Sequence, residues 1–105
     1  MAVIRLFASR AMDGQVPMDG PLGLRLTFYY SVPPSWSKRK REEAIWKWSK
    51  PDGDNLQKLV KDACNRIVWV DDAQVADWSG RKIYGDREEI RVEVWKLDPT
   101  AQPEG

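Results

Sequence analysis

KPDGDNLQKLVKDACNRIVWVDDAQV, residues 50–75, is the stretch on which the reading of this chain turns. Leu56, Leu59, Val60, Ala63, Cys64 and Ile67 recur within it at three- and four-residue intervals, the spacing of one face of an α-helix. That stripe is predicted to be buried, which turns Asn55, Lys58 and Asp62 to the opposite side. Asp54 is suited to cap the helix, and Gln57, three residues on, can close a capping box. Two acidic pairs bracket the helix: Asp52 and Asp54 before it, Asp71 and Asp72 after it.

Each pair has two explanations. Pro51-Asp52-Gly53-Asp54 is ordinary turn and helix-start chemistry, and Asp71-Asp72 suits a polar bend between two strands. The other explanation is a cation site. The helix and the strand after it must fold back on each other to bury their apolar faces, which would carry Asp71 and Asp72 towards the helix N-terminus. Carboxylates gathered in that way repel one another and need a cation or a proton. The chain has no histidine, and its single cysteine, Cys64, lies on the buried stripe. Any ion held here would therefore be a hard, oxygen-liganded one such as Mg²⁺. A calcium EF-hand loop is excluded, because its glycine position holds Gln57 and its twelfth position holds Ala63.

A chain of 105 residues is one domain, large enough for a single core. Hydrophobic content of 42% with 31% charged residues describes a folded soluble protein rather than a disordered one. One cysteine rules out an internal disulfide and suits a reducing compartment. Val3–Phe7 is too short for a signal-peptide core and no run is long enough to span a membrane, so a cytoplasmic protein is expected. The net charge of +1 says less than its distribution. Lys38, Arg39, Lys40 and Arg41 form a compact basic block, which is either a solvated helix face or a grip on DNA phosphates beside the acidic site.

Along the chain, Ala2 to Met12 carries Val3, Ile4, Phe7, Ala8 and Ala11 at helical spacing, with Asp13-Gly14 as the stop. Leu22, Leu24, Leu26, Phe28 and Tyr30 alternate with polar residues and predict a strand. Val32-Pro33-Pro34 ends it, and Ser35 or Ser37 can cap a helix running through the basic block to Trp48, before Pro51. A second strand is expected over Gln74–Tyr84 with Gly80 as a bulge, then a hairpin turn at Tyr84–Arg87 and a last strand over Glu89–Trp95. From Asp98 the tail has little to bury. Of the six tryptophans, Trp69 is the expected core residue, while Trp36, Trp46 and Trp48 flank the basic block, where rings pack, stack on unpaired bases or fill a dimer contact.

Lys-Pro-Asp-x-Asp-Asn-Leu-x-Lys at 50–58, Asp62-Ala63, Val-Asp-Asp-Ala-Gln-Val at 70–75 and then Lys82 together resemble the RusA family of Holliday junction resolvases, common in prophages. The resemblance extends loosely from Ala8 to Leu97. It implies a single α+β domain over residues 1–97 followed by a flexible tail at 98–105, with a mixed sheet of three to four strands packed on two to three helices. It also implies a Mg²⁺-dependent homodimeric endonuclease that resolves four-way DNA junctions by paired symmetric nicks. Carried over by position, the metal-binding aspartates fall on Asp52, Asp54 and Asp72, with Asp71 beside them, and the active-site lysine on Lys58. Lys82 becomes a further phosphate contact alongside the basic block, and Asp62 can pair with Lys58. Gly53, Cys64 and Arg66 depart from the residues usual in the family. Members usually open with a strand and hairpin bearing a basic segment that has no counterpart before Val3, so the expectation is a chain starting within the family's first helix. The alternative is a junction-binding or phage adaptor protein that keeps the fold and does not cut.

Overall fold

The computed structural model describes residues 2–103, with side chains from Ile4 onward. Its axis is strand β1 (Leu22–Ser31), and the predicted alternation explains why: Leu22, Leu24, Leu26 and Phe28 are all buried while Arg25 between them is exposed. Strand β2 (Val75–Gly85) pairs parallel to β1 on one side, and strand β3 (Glu89–Lys96) pairs antiparallel on the other. A parallel neighbour requires a long crossover. Helices α2 (Lys38–Glu43) and α3 (Gly53–Cys64) supply it, while α1 (Ala2–Met12) precedes β1. The result is the expected α+β domain with a three-stranded mixed sheet.

The apolar stripe of α3 lies on the leucine face of β1. Val60 and Cys64 join Leu22, Leu24, Leu26, Phe28, Trp69 and Val75 in one buried cluster, with Ile4 and Ala8 of α1 packed against it. Trp69 is fully enclosed, as expected, and truncating a side chain of that size in a core costs about 3–5 kcal/mol. On the opposite face of β1, Gly23 admits the Trp95 indole so closely that a Cβ at this position would collide with the ring. α1 stops where expected, with Asp13 and Gly14 both at positive φ (48° and 77°). The Val3 side chain and residues 104–105 of the expected tail lie outside the described residues.

Four expectations are corrected. The helix through the basic block ends at Glu43 instead of continuing to Trp48, because Lys38–Glu43 has no apolar side chain to bury. The chain beyond it instead runs extended along the outer edge of β2: Trp46 bridges Ile83, Lys47 N donates to Lys82 O (3.1 Å), and Tyr84 N donates to Ile45 O (2.9 Å). α3 ends at Cys64, so Ile67 lies outside it. Asn65 caps the helix and Arg66 turns the chain at φ 67°. The irregularity in the sheet falls between Leu22 and Gly23 rather than at Gly80. Finally, residues 84–87 form no hairpin between paired strands, because β1 stands between β2 and β3 and the link crosses its end.

Candidate active site

Pro51 closes the strap of residues 45–51, and Asp52 begins α3 as its N-cap (φ −68°, ψ 138°). The cap is thus Asp52, not Asp54, and its carboxylate makes no capping hydrogen bond. Among the described residues its one ionic neighbour is Lys50, 3.7 Å away and exposed, a pair worth little in water. Asp54 occupies the first turn, where a carboxylate meets the positive end of the helix dipole. Lys58 follows four residues later, on the same side of the helix as Asp54, and is exposed. Among the described residues, Lys58 forms no ion pair with Asp62. The head of α3 therefore presents two carboxylates and an ammonium to solvent.

At the other end of the segment the aspartates are engaged. Asp71 caps a short 3₁₀ turn over Asp72–Gln74: its Oδ1 accepts from Ala73 N (2.8 Å), and Gln74 Oε1 accepts from Asp71 N (2.8 Å). Gln74 Nε2 then donates to the carbonyls of Met18 (3.0 Å) and Gly20 (2.9 Å), locking the loop before β1. Asp72 Oδ1 accepts from the indole Nε1 of buried Trp69 at 2.7 Å. Its charge also reaches Cys64: burial first, and Asp72 second, push that thiol up to about 11, with Arg5 opposing.

These two ends stay apart within one chain. α3 runs antiparallel to β2, with Pro51 against Lys82 and Cys64 near Asp72. The ten residues from Asp54 to Cys64 rise about 15 Å at helical pitch, and Val75 to Lys82 spans about 23 Å of strand. Among the described residues, no group of three or more His, Cys, Asp or Glu side chains lies close enough to hold an ion. The predicted convergence of carboxylates from both ends is therefore not met within one chain. Asp52 and Asp54 alone fit Mg²⁺ in their chemistry, since that ion takes one or two carboxylates and completes its shell with water and substrate phosphate.

Basic residues precede the head of α3 along the chain. Lys38, Arg39, Lys40 and Arg41 lie on α2, capped by Ser37 (Oγ accepting from Lys40 N, 3.2 Å) and all exposed. Arg39 pairs with Glu43 at 3.0 Å, and the Lys40 ammonium sits 4.2 Å from the Trp36 ring centre. Lys82 is half-buried and donates from Nζ to two main-chain carbonyls, Ser49 O and Pro51 O, each at 2.6 Å. The sequence reading missed the strap. Lys47 and Lys50 flank Trp48, which is 93% exposed, and Trp46 is exposed too. The signal was available in the six charged residues 38–43, which carry no helical stripe into the segment that follows. An apolar groove lies between α1 and β3, lined by Phe7, Ala8, Ile90 and Val92, and none of the site aspartates lines it.

Residues 2–95 match the family described as Endodeoxyribonuclease RusA. The chain is 42% identical over 83 residues to the uncharacterized protein YqaN of Bacillus subtilis, covering 73% of this chain and 57% of that protein. It is 32% identical over 78 residues to the crossover junction endodeoxyribonuclease rusA of Lactococcus phage r1t, covering 73% of this chain and 56% of the phage protein. The chain thus spans little more than half the length of these relatives. No solved structure matches it.

Proposed function

Because this chain belongs to the RusA family of endodeoxyribonucleases, we propose that it is a structure-specific endonuclease that nicks branched DNA, four-way junctions above all, with Mg²⁺ held at the head of α3. The observation that carries the reading is the state of Asp52 and Asp54. Both are exposed at a helix N-terminus, beside Lys58 and a cationic strap, and among the described residues neither carboxylate accepts an internal hydrogen bond. Asp52 and Asp54 would hold the ion, whose chemistry there is to neutralise charge on the scissile phosphate and to acidify water. Lys58 opposes the charge that grows on the phosphoryl oxygens. Lys50 and the block 38–41 bind neighbouring phosphates, fixing the backbone without reading sequence. Trp48 and Trp46 offer ring faces to bases left unpaired at a branch.

A junction is resolved productively when two strands of like polarity are cut, which a two-fold symmetric homodimer supplies. The same symmetry gives Asp72 a place. Two copies with their α3 helices antiparallel across the axis would set the head of one helix beside the tail of the other. Asp72 of the partner subunit would then stand with Asp52 and Asp54. The protein would do this work in the cytoplasm; no described helix is long and apolar enough to cross a membrane.

The deciding experiment incubates the protein with a synthetic four-way junction and with linear duplex, with and without Mg²⁺. Paired nicks of like polarity, confined to the junction and dependent on the metal, are the expected result. Junction binding without nicks would replace the endonuclease with a non-catalytic junction binder, and indifference to both DNAs would leave an adaptor.

A further inference from the structure

Lys82 was expected among the cations that meet DNA, yet its side chain faces inward on the strap. Its Nζ donates to Ser49 O and Pro51 O at 2.6 Å each, and its own carbonyl accepts from Lys47 N at 3.1 Å. One residue of β2 thereby holds the strap by main chain and side chain together. The two carbonyls it binds bracket Lys50 and Pro51, the last residues before Asp52. An ammonium has three protons. Two are committed here in short charge-assisted bonds, and the residue is half-buried.

We propose that Lys82 is a positioning residue: its ammonium ties the carbonyls of Ser49 and Pro51 to β2, sets where Asp52 stands at the head of α3, and makes no contact with DNA. This rests on the endonuclease reading for its consequence, though not for its geometry. Only residues 49–51 join the strap to the helix cap, so freeing those carbonyls lets the Asp52 carboxylate wander relative to Asp54. Displacement of about 1 Å at a reacting centre costs on the order of 100-fold in rate. Arginine can donate to both carbonyls from its fork, whereas methionine fills the space and donates to neither.

The test compares the full chain with Lys82→Met and Lys82→Arg in three measurements: hydrogen exchange of the strap amides over residues 45–52, the salt dependence of junction Kd, and single-turnover nicking. Lys82→Met is expected to speed strap exchange at least about tenfold while the α3 interior stays protected. The slope of log Kd against log salt should stay as in the parent, with nicking slowed about tenfold or more and partly restored by Lys82→Arg. A slope reduced by about one unit would mean a lost phosphate contact and would overturn the proposal, as would unchanged strap exchange. If the parent protein binds junctions without nicking them, the endonuclease reading falls alone, because exchange and salt slope still decide what Lys82 does.

Discussion

The two ends of α3 carry the same side chain in opposite circumstances. At the head, the carboxylates of Asp52 and Asp54 stand in solvent and, among the described residues, accept no internal hydrogen bond, on a helix start held by the strap. At the tail, Asp71 is spent on a capping box and Asp72 on the indole of Trp69. The difference separates carboxylates left in solvent from carboxylates that serve the fold whether or not they serve chemistry too. It also explains why four aspartates bracketing one helix do not make one site in one chain: a helix long enough to bury its stripe is long enough to hold its ends about 15 Å apart.

The largest effect should come from the head. Asp54→Asn and Asp52→Asn are expected to reduce junction nicking by at least about 100-fold, the scale of losing a group that supports transition-state charge. Junction affinity should hold or rise, because a repulsive charge is removed. Nicking that persists within a few-fold would dissolve the functional side of the contrast. Mixed dimers sharpen it further. If the tail aspartate acts across the two-fold axis, Asp54→Asn and Asp72→Asn proteins, each inactive alone, regain nicking when refolded together, since one site of the heterodimer is then intact. If both groups act within one chain, the mixture stays inactive.

How much of this was legible in the sequence follows from which forces are local. The α3 stripe as far as Cys64, the leucine face of β1 and the stop at Asp13-Gly14 are written in periodicities and turn residues, and the structure keeps them. The strap was not legible, because Ile45 to Ser49 takes its conformation from an open edge of β2 that lies more than thirty residues downstream. The placement of β1 between β2 and β3 escaped for the same reason: consecutive strands suggest a hairpin until the crossover has taken the neighbouring slot. At the site, the residue types were readable and their grouping was not. Spacing along a chain does not say that Cys64, and not Asp54, is the neighbour of Asp72.

At the tail, the fold should suffer more than at the head. Asp72→Ala leaves the Trp69 indole N–H buried without an acceptor, which costs about 1–3 kcal/mol, and the melting temperature should fall by several degrees. Asp72→Asn keeps an oxygen for the same bond and should fall much less. Asp54→Ala, by contrast, removes no internal partner and should melt within a degree or two of the parent. Equal losses at both ends would erase the distinction between free and committed carboxylates. A smaller effect is expected at the strap: Trp48→Ala should weaken junction binding about tenfold, the lower part of the range for one base stacked on an aromatic ring. Binding to linear duplex should not change, and equal weakening for both DNAs would remove the stacking role.

The smallest effect makes Cys64 a reporter of which end it belongs to. Its thiol is raised from 9.0 to about 11, by burial first and by the Asp72 charge second. A buried thiol raised in this way favours its protonated form in the folded state. Its contribution to stability is therefore whole below pH 9, where the unfolded thiol also keeps its proton, and is lost as pH rises from about 9 through about 11. Asp72→Asn removes one of the two causes, so the thiol should titrate at lower pH by ultraviolet absorbance of the thiolate, and the alkaline loss of stability, still beginning near pH 9, should end at lower pH and be smaller in total. Asp54→Asn should leave that titration where it is, because about 15 Å of helix lies between the two groups and water screens a charge exposed at that distance. A thiol that responded equally to both substitutions would place the head carboxylate near the tail, and the separation on which the two-copy site depends would have to be abandoned.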